Sequence, residues 1–262
     1  MTSVDDLGAE LDLAIRVADA ADAVSLPYFV ERSFTLSRKD DSSEVTEADR
    51  NTESTITSML LEERPGHGIY GEEHGISGDT ESTWTWTIDP IDGTSNFVRG
   101  VPVWATLIAL VHHDRGPVLG VVSAPAMGRR WWGGIGLGAF ANGRPIRVSE
   151  VDAVNAAQVS VTFNRGWDEA GHTANLVRLQ QTAYRARGYG DFWQHMLVAE
   201  GAVDVAVDAI GLAPYDNAAV QAVVEAAGGT HTDRFGHRDY TSNSAISTNG
   251  RLHSSVIGIL GA

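Results

Sequence analysis

The stretch Trp86-Thr-Ile-Asp-Pro-Ile-Asp-Gly-Thr94 is where an alternating, strand-like run ends in a polar turn. It places two carboxylates, Asp89 and Asp92, three residues apart, and a glycine and a threonine follow directly. Pro90 restricts the backbone, so that both carboxylates can lie on one side of a tight turn. Mg²⁺ binds carboxylate oxygens together with waters and substrate phosphate. The segment therefore predicts a metal site; the alternative is an Asp-Gly turn that binds no metal.

The residues after the second carboxylate suit a phosphate group. Gly93 lets a backbone N–H approach a ligand closely. If residues 93–97 begin a short helix, their free amides form an anion site. The segment as a whole predicts phosphate chemistry beside a bound cation.

The pattern on both sides of this segment predicts the fold class. Apolar residues in 8–26 recur at helical spacing, whereas 84–88, 103–111 and 118–122 have the character of strands. A hairpin is expected around Asn142-Gly143, and not a nucleotide-binding loop, because no helical pattern follows its glycines. Helices and strands come in groups, which favours a layered α+β fold over a doubly wound sheet.

Two further expectations concern organisation. Residues 1–150 would form the N-terminal helices and an antiparallel sheet that carries most metal ligands, and residues 151–262 a C-terminal α/β half with the specificity residues. The polar residues 37–44 are expected to form an exposed loop.

Composition excludes several classes of protein. The formal net charge is −15, which argues against a general binder of nucleic acid or anionic membranes. The chain has no cysteine, so disulfides and thiolate chemistry are excluded. The first ten residues lack the positive start of a secretory signal, and the longest apolar stretch, 101–111, is too short to span a bilayer. A cytoplasmic protein is expected.

Three acidic residues far from Asp89 are candidates for the same site. Glu72 follows an apolar pair at an expected strand end, Asp216 begins a helix, and Asp49 lies in a second helical pattern. Taken singly, each has an ordinary alternative, namely a solvated charge, an N-cap and a helix-face charge.

Taken together, these residues resemble the inositol-monophosphatase-like phosphatases, a family of Mg²⁺-dependent phosphomonoesterases. The matching pieces, in family order, are Val45-Thr-Glu-Ala-Asp49, Gly71-Glu-Glu73, Asp89-Pro-Ile-Asp-Gly-Thr-Ser-Asn-Phe97, Gly138-Ala-Phe-Ala-Asn-Gly143 and Asp216 with Glu225-Ala-Ala-Gly-Gly229. The resemblance implies a layered αβαβα sandwich that assembles as a homodimer.

The resemblance also implies a role for each residue of the site. Two or three Mg²⁺ ions would be bound by Glu72, Asp89, the carbonyl of Ile91, Asp92 and Asp216. The catalytic residues would be Asp49, Thr94 and Glu72, with the first two orienting and deprotonating a metal-activated water that attacks phosphorus directly. The phosphate would be held by the amides of Gly93, Thr94 and Ser95.

Substrate choice is expected to come from the second half. Tyr189-Gly-Asp191 and the Pro214-Tyr215 pair before Asp216 resemble the histidinol-phosphate phosphatases of actinobacteria within this family. Histidinol phosphate carries an ammonium and an imidazole, and Asp191 and Asp208 are the candidate carboxylate partners. Their alternatives are a turn residue and a strand-end surface charge. His195 either contacts a substrate ring or is simply packed or solvated.

Two other functions remain open on the sequence. The first is a broader phosphatase that hydrolyses inositol 1-phosphate or sugar phosphates with the same metals. The second is a non-catalytic regulator that binds a metal or ligand. The complete set of acidic and hydroxyl side chains argues against the regulator.

Overall fold

The computed structural model describes residues 7–39 and 44–261 of the chain. Its helices are α1 (Gly8–Glu31), α2 (Glu47–Glu63), α3 (Thr94–Arg99), α4 (Arg165–Glu169), α5 (Thr173–Thr182), α6 (Asp191–Ala199), α7 (Pro214–Ala226) and α8 (His253–Leu260). Its strands are β1 (Leu36–Arg38), β2 (Glu44–Thr46), β3 (Gly68–Gly71), β4 (Gly75–Gly78), β5 (Trp84–Asp92), β6 (Ala105–His112), β7 (Gly116–Ala124), β8 (Arg129–Gly134), β9 (Gly138–Ala141), β10 (Arg144–Ile146), β11 (Gln158–Val161), β12 (Arg185–Arg187), β13 (Val205–Val207), β14 (Thr230–Thr232) and β15 (Ile246–Thr248).

Two sheets organise the described residues. The larger has the order β10-β9-β8-β7-β6-β5-β3-β4 and is antiparallel except where β3 pairs with β5. The smaller has the order β12-β11-β13-β15-β14 and contains both parallel and antiparallel pairs. Strands β1 and β2 pair with each other as a separate, antiparallel two-stranded sheet.

The sheets and helices stack in five layers. Helices α1 and α2 pack on one face of the large sheet, and α6 and α7 pack on its other face. The small sheet lies against α6 and α7, and α5 with α8 cover its far face. This αβαβα sandwich confirms the predicted fold class.

Strand β6 shows why the layers form. Leu107 and Ala109 face α7, whereas Ile108 and Leu110 face α1 and α2, as the two-residue period of a strand requires. Both faces are apolar, so the sheet is buried between two helical layers. Contact with α7 is close: a Cβ on Gly120 would lie 2.4 Å from the carbonyl oxygen of Ala219.

The segment 37–44 is not simply a loop, because its two ends pair as β1 and β2; residues 40–43 lie outside the described residues. The division near residue 150 stays a prediction, as does a cytoplasmic location. Within the described residues, no helix has both the length and the apolar character needed to cross a membrane.

Candidate metal centre and active site

A β-bulge brings the two carboxylates of β5 to the same face of the large sheet. Asp89 pairs with Leu107 and Asp92 pairs with Ala105, so three steps along β5 match two steps along β6. Without the extra residue, side chains three apart would point to opposite faces. The sequence predicted a turn after Ile88, but the strand continues to Asp92. The bulge, and not a turn, places the two carboxylates on one side.

Helix α7 brings a third carboxylate to this face. Asp216 lies in its first turn, where one carboxylate oxygen accepts a hydrogen bond from the Ala213 amide at 2.6 Å. Asp89, Asp92 and Asp216 each offer an oxygen within 4.8 Å of the others. We call these three residues the aspartate cluster.

The electrostatics of the aspartate cluster fit a bound cation. Burial, with the charges of Glu72, Asp92 and Asp216, raises the pKa of Asp89 well above its usual range. Burial and neighbouring carboxylates raise the pKa of Asp216 to about 7. Carboxylates held this close repel one another unless a cation or a proton offsets their charge. An all-oxygen donor set of this kind matches the preference of hard divalent cations.

Glu72 lies beside the aspartate cluster, in the turn that joins β3 to β4. Its Oε1 accepts a hydrogen bond from Lys39 Nζ at 2.8 Å, and the same ammonium contacts Glu73 at 2.6 Å. Its charge contributes to the raised pKa of Asp89 and of Asp216. The structure therefore brings Glu72 into the electrostatic environment of the predicted metal site.

Glu53 of α2, which was not among the residues predicted from the sequence, holds this turn in place. Its buried carboxylate accepts the backbone N–H groups of Glu73 and His74, both at 2.8 Å. Gly71 is required opposite it, because a Cβ there would lie 2.1 Å from Glu53 Oε1. The available signal was the spacing, since Glu53 lies one helical turn after Asp49 on the same helix face.

Asp49 and Thr94 are brought together from distant parts of the chain. Thr94 Oγ1 lies 3.2 Å from Asp49 Oδ1 and 3.1 Å from the carbonyl oxygen of Ile91. The other oxygen of Asp49 accepts the amide and the hydroxyl of Thr46 in a capping box. Burial raises the pKa of Asp49, and the hydrogen bonds from Thr46 oppose that rise.

The predicted phosphate-binding residues lie at the start of α3. Gly93 is its N-cap, with a left-handed φ of 87° that favours glycine. Thr94 and Ser95 follow in the first turn, where helical amides lack partners within the helix. The hydroxyl of Ser95 accepts a hydrogen bond from Arg99.

The two predicted specificity residues line a small cavity next to Asp92 and Asp216. Its volume is about 90 Å³, and Thr162, Phe192 and Leu212 are among its walls. Asp191 has a left-handed φ of 46°, and Asn96 donates to its Oδ2 at 2.8 Å. Burial and the charge of Asp208 raise the pKa of Asp191 to about 6.

Asp191 and the metal centre are also connected through the backbone. The amide of Phe192 donates to Asp92 Oδ2 at 2.8 Å, across 100 residues of sequence. The start of α6 is thereby fixed relative to the aspartate cluster. Asn96 and this amide are contacts that no local sequence pattern indicated.

His195 is buried beside the same cavity, with 2% of its surface exposed. Both of its ring nitrogens have protein partners: Nε2 lies 2.9 Å from Asp208 Oδ2, and Nδ1 lies 2.7 Å from Ser247 Oγ. Of the two roles considered for this histidine, the geometry fits the packed one.

Comparison with known proteins identifies relatives along nearly the whole chain. The model of the Inositol monophosphatase family matches residues 9–261. The chain is 45% identical to the histidinol-phosphatase of Mycobacterium tuberculosis, covering 97% of this chain and 98% of that protein. It is 42% identical to the histidinol-phosphatase of Streptomyces coelicolor, covering 96% of each. Among solved structures, extragenic suppressor protein suhB from Bartonella henselae superposes with a TM-score of 0.88 at 27% identity, covering 97% of this chain and 98% of that one.

Proposed function

The chain belongs to the inositol monophosphatase family, and we propose that it is a Mg²⁺-dependent phosphatase converting L-histidinol phosphate and water to L-histidinol and phosphate. The aspartate cluster carries this proposal, because three carboxylates with oxygens within 4.8 Å of one another form an all-oxygen site in which a divalent cation would offset their repulsion. Phosphatase activity is supported by relatives named histidinol-phosphatase that match almost the entire chain.

The proposed metal ligands come from three parts of the fold. They are Glu72 from the turn after β3, Asp89, Asp92 and the carbonyl of Ile91 from β5, and Asp216 from α7. Two or three Mg²⁺ ions bound there would supply Lewis-acid activation of a water and offset charge on the phosphate. Burial and the charges of Glu72, Asp92 and Asp216 raise the pKa of Asp89, and a cation bound there would offset both effects, which supports this assignment.

The Asp49–Thr94 pair is proposed to orient the attacking water and take its proton. Asp49 accepts the Thr94 hydroxyl at 3.2 Å, which leaves a lone pair on Thr94 Oγ1 to accept a hydrogen bond from the water. As the water oxygen bonds to phosphorus, its proton passes through Thr94 to Asp49, and Glu72 completes the catalytic set. The phosphorus–oxygen ester bond breaks, the leaving alkoxide takes a proton from solvent water to become the alcohol, and Asp49 returns the proton it received to solvent.

Phosphate is proposed to bind the amides at the start of α3, from Gly93, Thr94 and Ser95. The left-handed conformation of Gly93 turns the chain from β5 into this helix, directly after Asp92. The phosphate would thereby lie between the aspartate cluster and the Asp49–Thr94 pair. Water attack and ester cleavage then need no covalent enzyme intermediate.

The alcohol end of the substrate is proposed to lie in the cavity beside Asp191 and Asp208. Two carboxylates in one small cavity suit a substrate with two groups that can carry positive charge, as histidinol phosphate has. An inositol has only hydroxyl groups and does not offset this charge. The neighbouring metal centre, connected through the Phe192 amide, would receive the phosphate end.

A panel of phosphate esters tests the proposed function. The purified protein is assayed with Mg²⁺ against L-histidinol phosphate and inositol 1-phosphate, and a parallel assay uses chelator. We expect kcat/KM to be at least about tenfold higher for L-histidinol phosphate, and activity to disappear with chelator. A higher kcat/KM for inositol 1-phosphate would contradict the proposed substrate. Light scattering of the same sample tests the further proposal of a homodimer.

A further inference from the structure

Four buried side chains form a continuous hydrogen-bonded chain behind the substrate cavity. His195 Nε2 contacts Asp208 Oδ2 at 2.9 Å, and His195 Nδ1 contacts Ser247 Oγ at 2.7 Å. His231 Nδ1 contacts the same serine oxygen at 2.9 Å. No member is more than 6% exposed, so water does not compete for these contacts. We call these four residues the histidine relay.

The donor and acceptor requirements of its two partners determine which nitrogen of His195 carries a proton. A carboxylate accepts, so the contact with Asp208 requires a proton on His195 Nε2. Ser247 has one hydroxyl proton and two histidine nitrogens beside it, so it donates to one ring and accepts from the other. Whether the Ser247 hydroxyl donates to His195 or to His231, the proton on His195 Nε2 points at Asp208. The relay thus selects a ring orientation as well as a proton position.

His231 anchors the far end of the relay as a neutral ring. Complete burial lowers its pKa well below the usual range, and the positive charge that His195, His253 and Arg238 carry or can carry acts in the same direction. A neutral ring has one donor and one acceptor nitrogen, which lets it satisfy Ser247 without introducing a second buried charge.

Asp208 has protein partners on both carboxylate oxygens and on its backbone. Its second oxygen accepts the Ala209 amide at 2.7 Å. Its own backbone is held by the Ala245 carbonyl and by the indole of Trp167, at 2.9 and 2.7 Å. Each carboxylate oxygen therefore has one protein partner and keeps acceptor capacity for a ligand in the cavity.

We propose that His195, held by Ser247 and His231, is a positioning residue that orients Asp208 toward the cationic alcohol part of the substrate and so determines selectivity for phosphate esters of amino alcohols over those of neutral polyols. This inference rests on the proposed function. Both ring nitrogens of His195 are engaged within the relay, so neither is free to hydrogen-bond a ligand, and the ring acts on it through Asp208.

The charge balance of the cavity agrees with this assignment. Asp208 raises the pKa of Asp191, and His195 acts in the opposite direction. Replacing His195 by an apolar side chain would leave two facing carboxylates without this compensation and would free Asp208 to rotate. In such a variant a cationic ligand would lose the oriented carboxylate of Asp208 as its partner, whereas a neutral polyol would lose no charged partner.

Two variants of His195 separate positioning from general stability. His195→Phe removes both ring nitrogens, and His195→Gln keeps an N–H that can donate to Asp208. For His195→Phe, KM for L-histidinol phosphate should rise about tenfold or more, with a smaller change in kcat and in both constants for inositol 1-phosphate. His195→Gln should recover most of the loss. Parallel changes for the two esters, or no recovery with glutamine, would overturn the proposal.

A binding measurement checks the inference without catalysis. Calorimetric titration with L-histidinol in chelator reports the cavity alone, and the control is His253→Gln, whose ring contacts Thr232 and Thr248 of the same sheet but not Asp208. His195→Phe should weaken binding about tenfold, with the control unchanged. Equal weakening in both variants, or wild-type protein that does not bind L-histidinol, would overturn the inference. The proposed function is tested separately, by the activity of the wild-type protein toward L-histidinol phosphate. A failure of the function therefore differs from a failure of the inference, which the His195 variants test.

Discussion

Thr94 Oγ1 lies 3.2 Å from Asp49 Oδ1, and this hydrogen bond joins the first turn of α2 to the first residue of α3. The two residues are 45 apart in sequence. Their contact places a hydroxyl between a buried carboxylate and the region where the phosphate is proposed to bind.

Thr94→Ala should lower kcat by about 10²- to 10³-fold, because it removes the group proposed to pass the proton of water to Asp49. KM should change little, since the backbone amides at the start of α3 remain. Steady-state kinetics with L-histidinol phosphate measures both constants. Thr94→Ser is the matched control, as it retains the hydroxyl and should keep most of the activity; equal losses in the two variants would count against the role.

Asp89→Asn should abolish Mg²⁺ binding and leave the fold intact. In chelator the variant should unfold at the same temperature as the wild type or higher, because it removes one of the mutually repelling carboxylates. Saturating Mg²⁺ should stabilise only the wild type, by about 2.7 kcal/mol at a hundredfold excess over Kd. Thermal melts with and without Mg²⁺ give both results. An undiminished Mg²⁺ effect in the variant would remove Asp89 from the metal site.

Glu53→Gln should weaken Mg²⁺ binding although Glu53 is not a proposed ligand. Its carboxylate accepts the amides of Glu73 and His74, and the loss of charge weakens both bonds that fix the turn carrying Glu72. The cost in unfolding free energy should be about 1–3 kcal/mol. Calorimetric Mg²⁺ titration and urea unfolding measure the two effects. Glu62→Gln, an exposed change on the same helix, is the control and should alter neither.

His231 should make the protein less stable in acid. Its pKa is lowered in the folded state by burial, so below about pH 6.5 the unfolded chain binds a proton that the folded chain does not. The stabilisation is therefore complete above that pH and is lost as the pH falls, by up to about 1.4 kcal/mol per pH unit. His231→Gln should reduce this slope in urea unfolding between about pH 8 and pH 5. An identical slope in both proteins would refute the prediction.

Much of the site could be predicted from the sequence because its residues lie in short local motifs. The resemblance to the inositol-monophosphatase-like phosphatases is confirmed: the chain is a phosphoric monoester hydrolase of a metal-dependent family, with the predicted αβαβα layers. Asp89, Asp92 and Asp216 do meet in one cluster. Their individual roles, and the homodimer, stay predictions.

The remaining features depend on contacts between distant elements. The bulge in β5 exists only relative to β6, so the sequence suggested a turn where the strand continues. The environment of His195 is made by residues 13 and 52 positions away, and a lone histidine in a helix gives no sign of them. Glu53 acts through backbone amides of a turn about 20 residues away, and amides have no sequence signature.

The comparison of wild type with Asp191→Asn tests most directly the claim that carboxylates beside the metal centre recognise a cationic substrate. Asn96 and the Phe192 amide retain acceptors in this variant, so the metal centre should stay intact. We predict that the ratio of kcat/KM for L-histidinol phosphate to that for inositol 1-phosphate falls at least about tenfold, through KM of the cationic ester. An unchanged ratio, with both esters affected equally or not at all, would contradict the account.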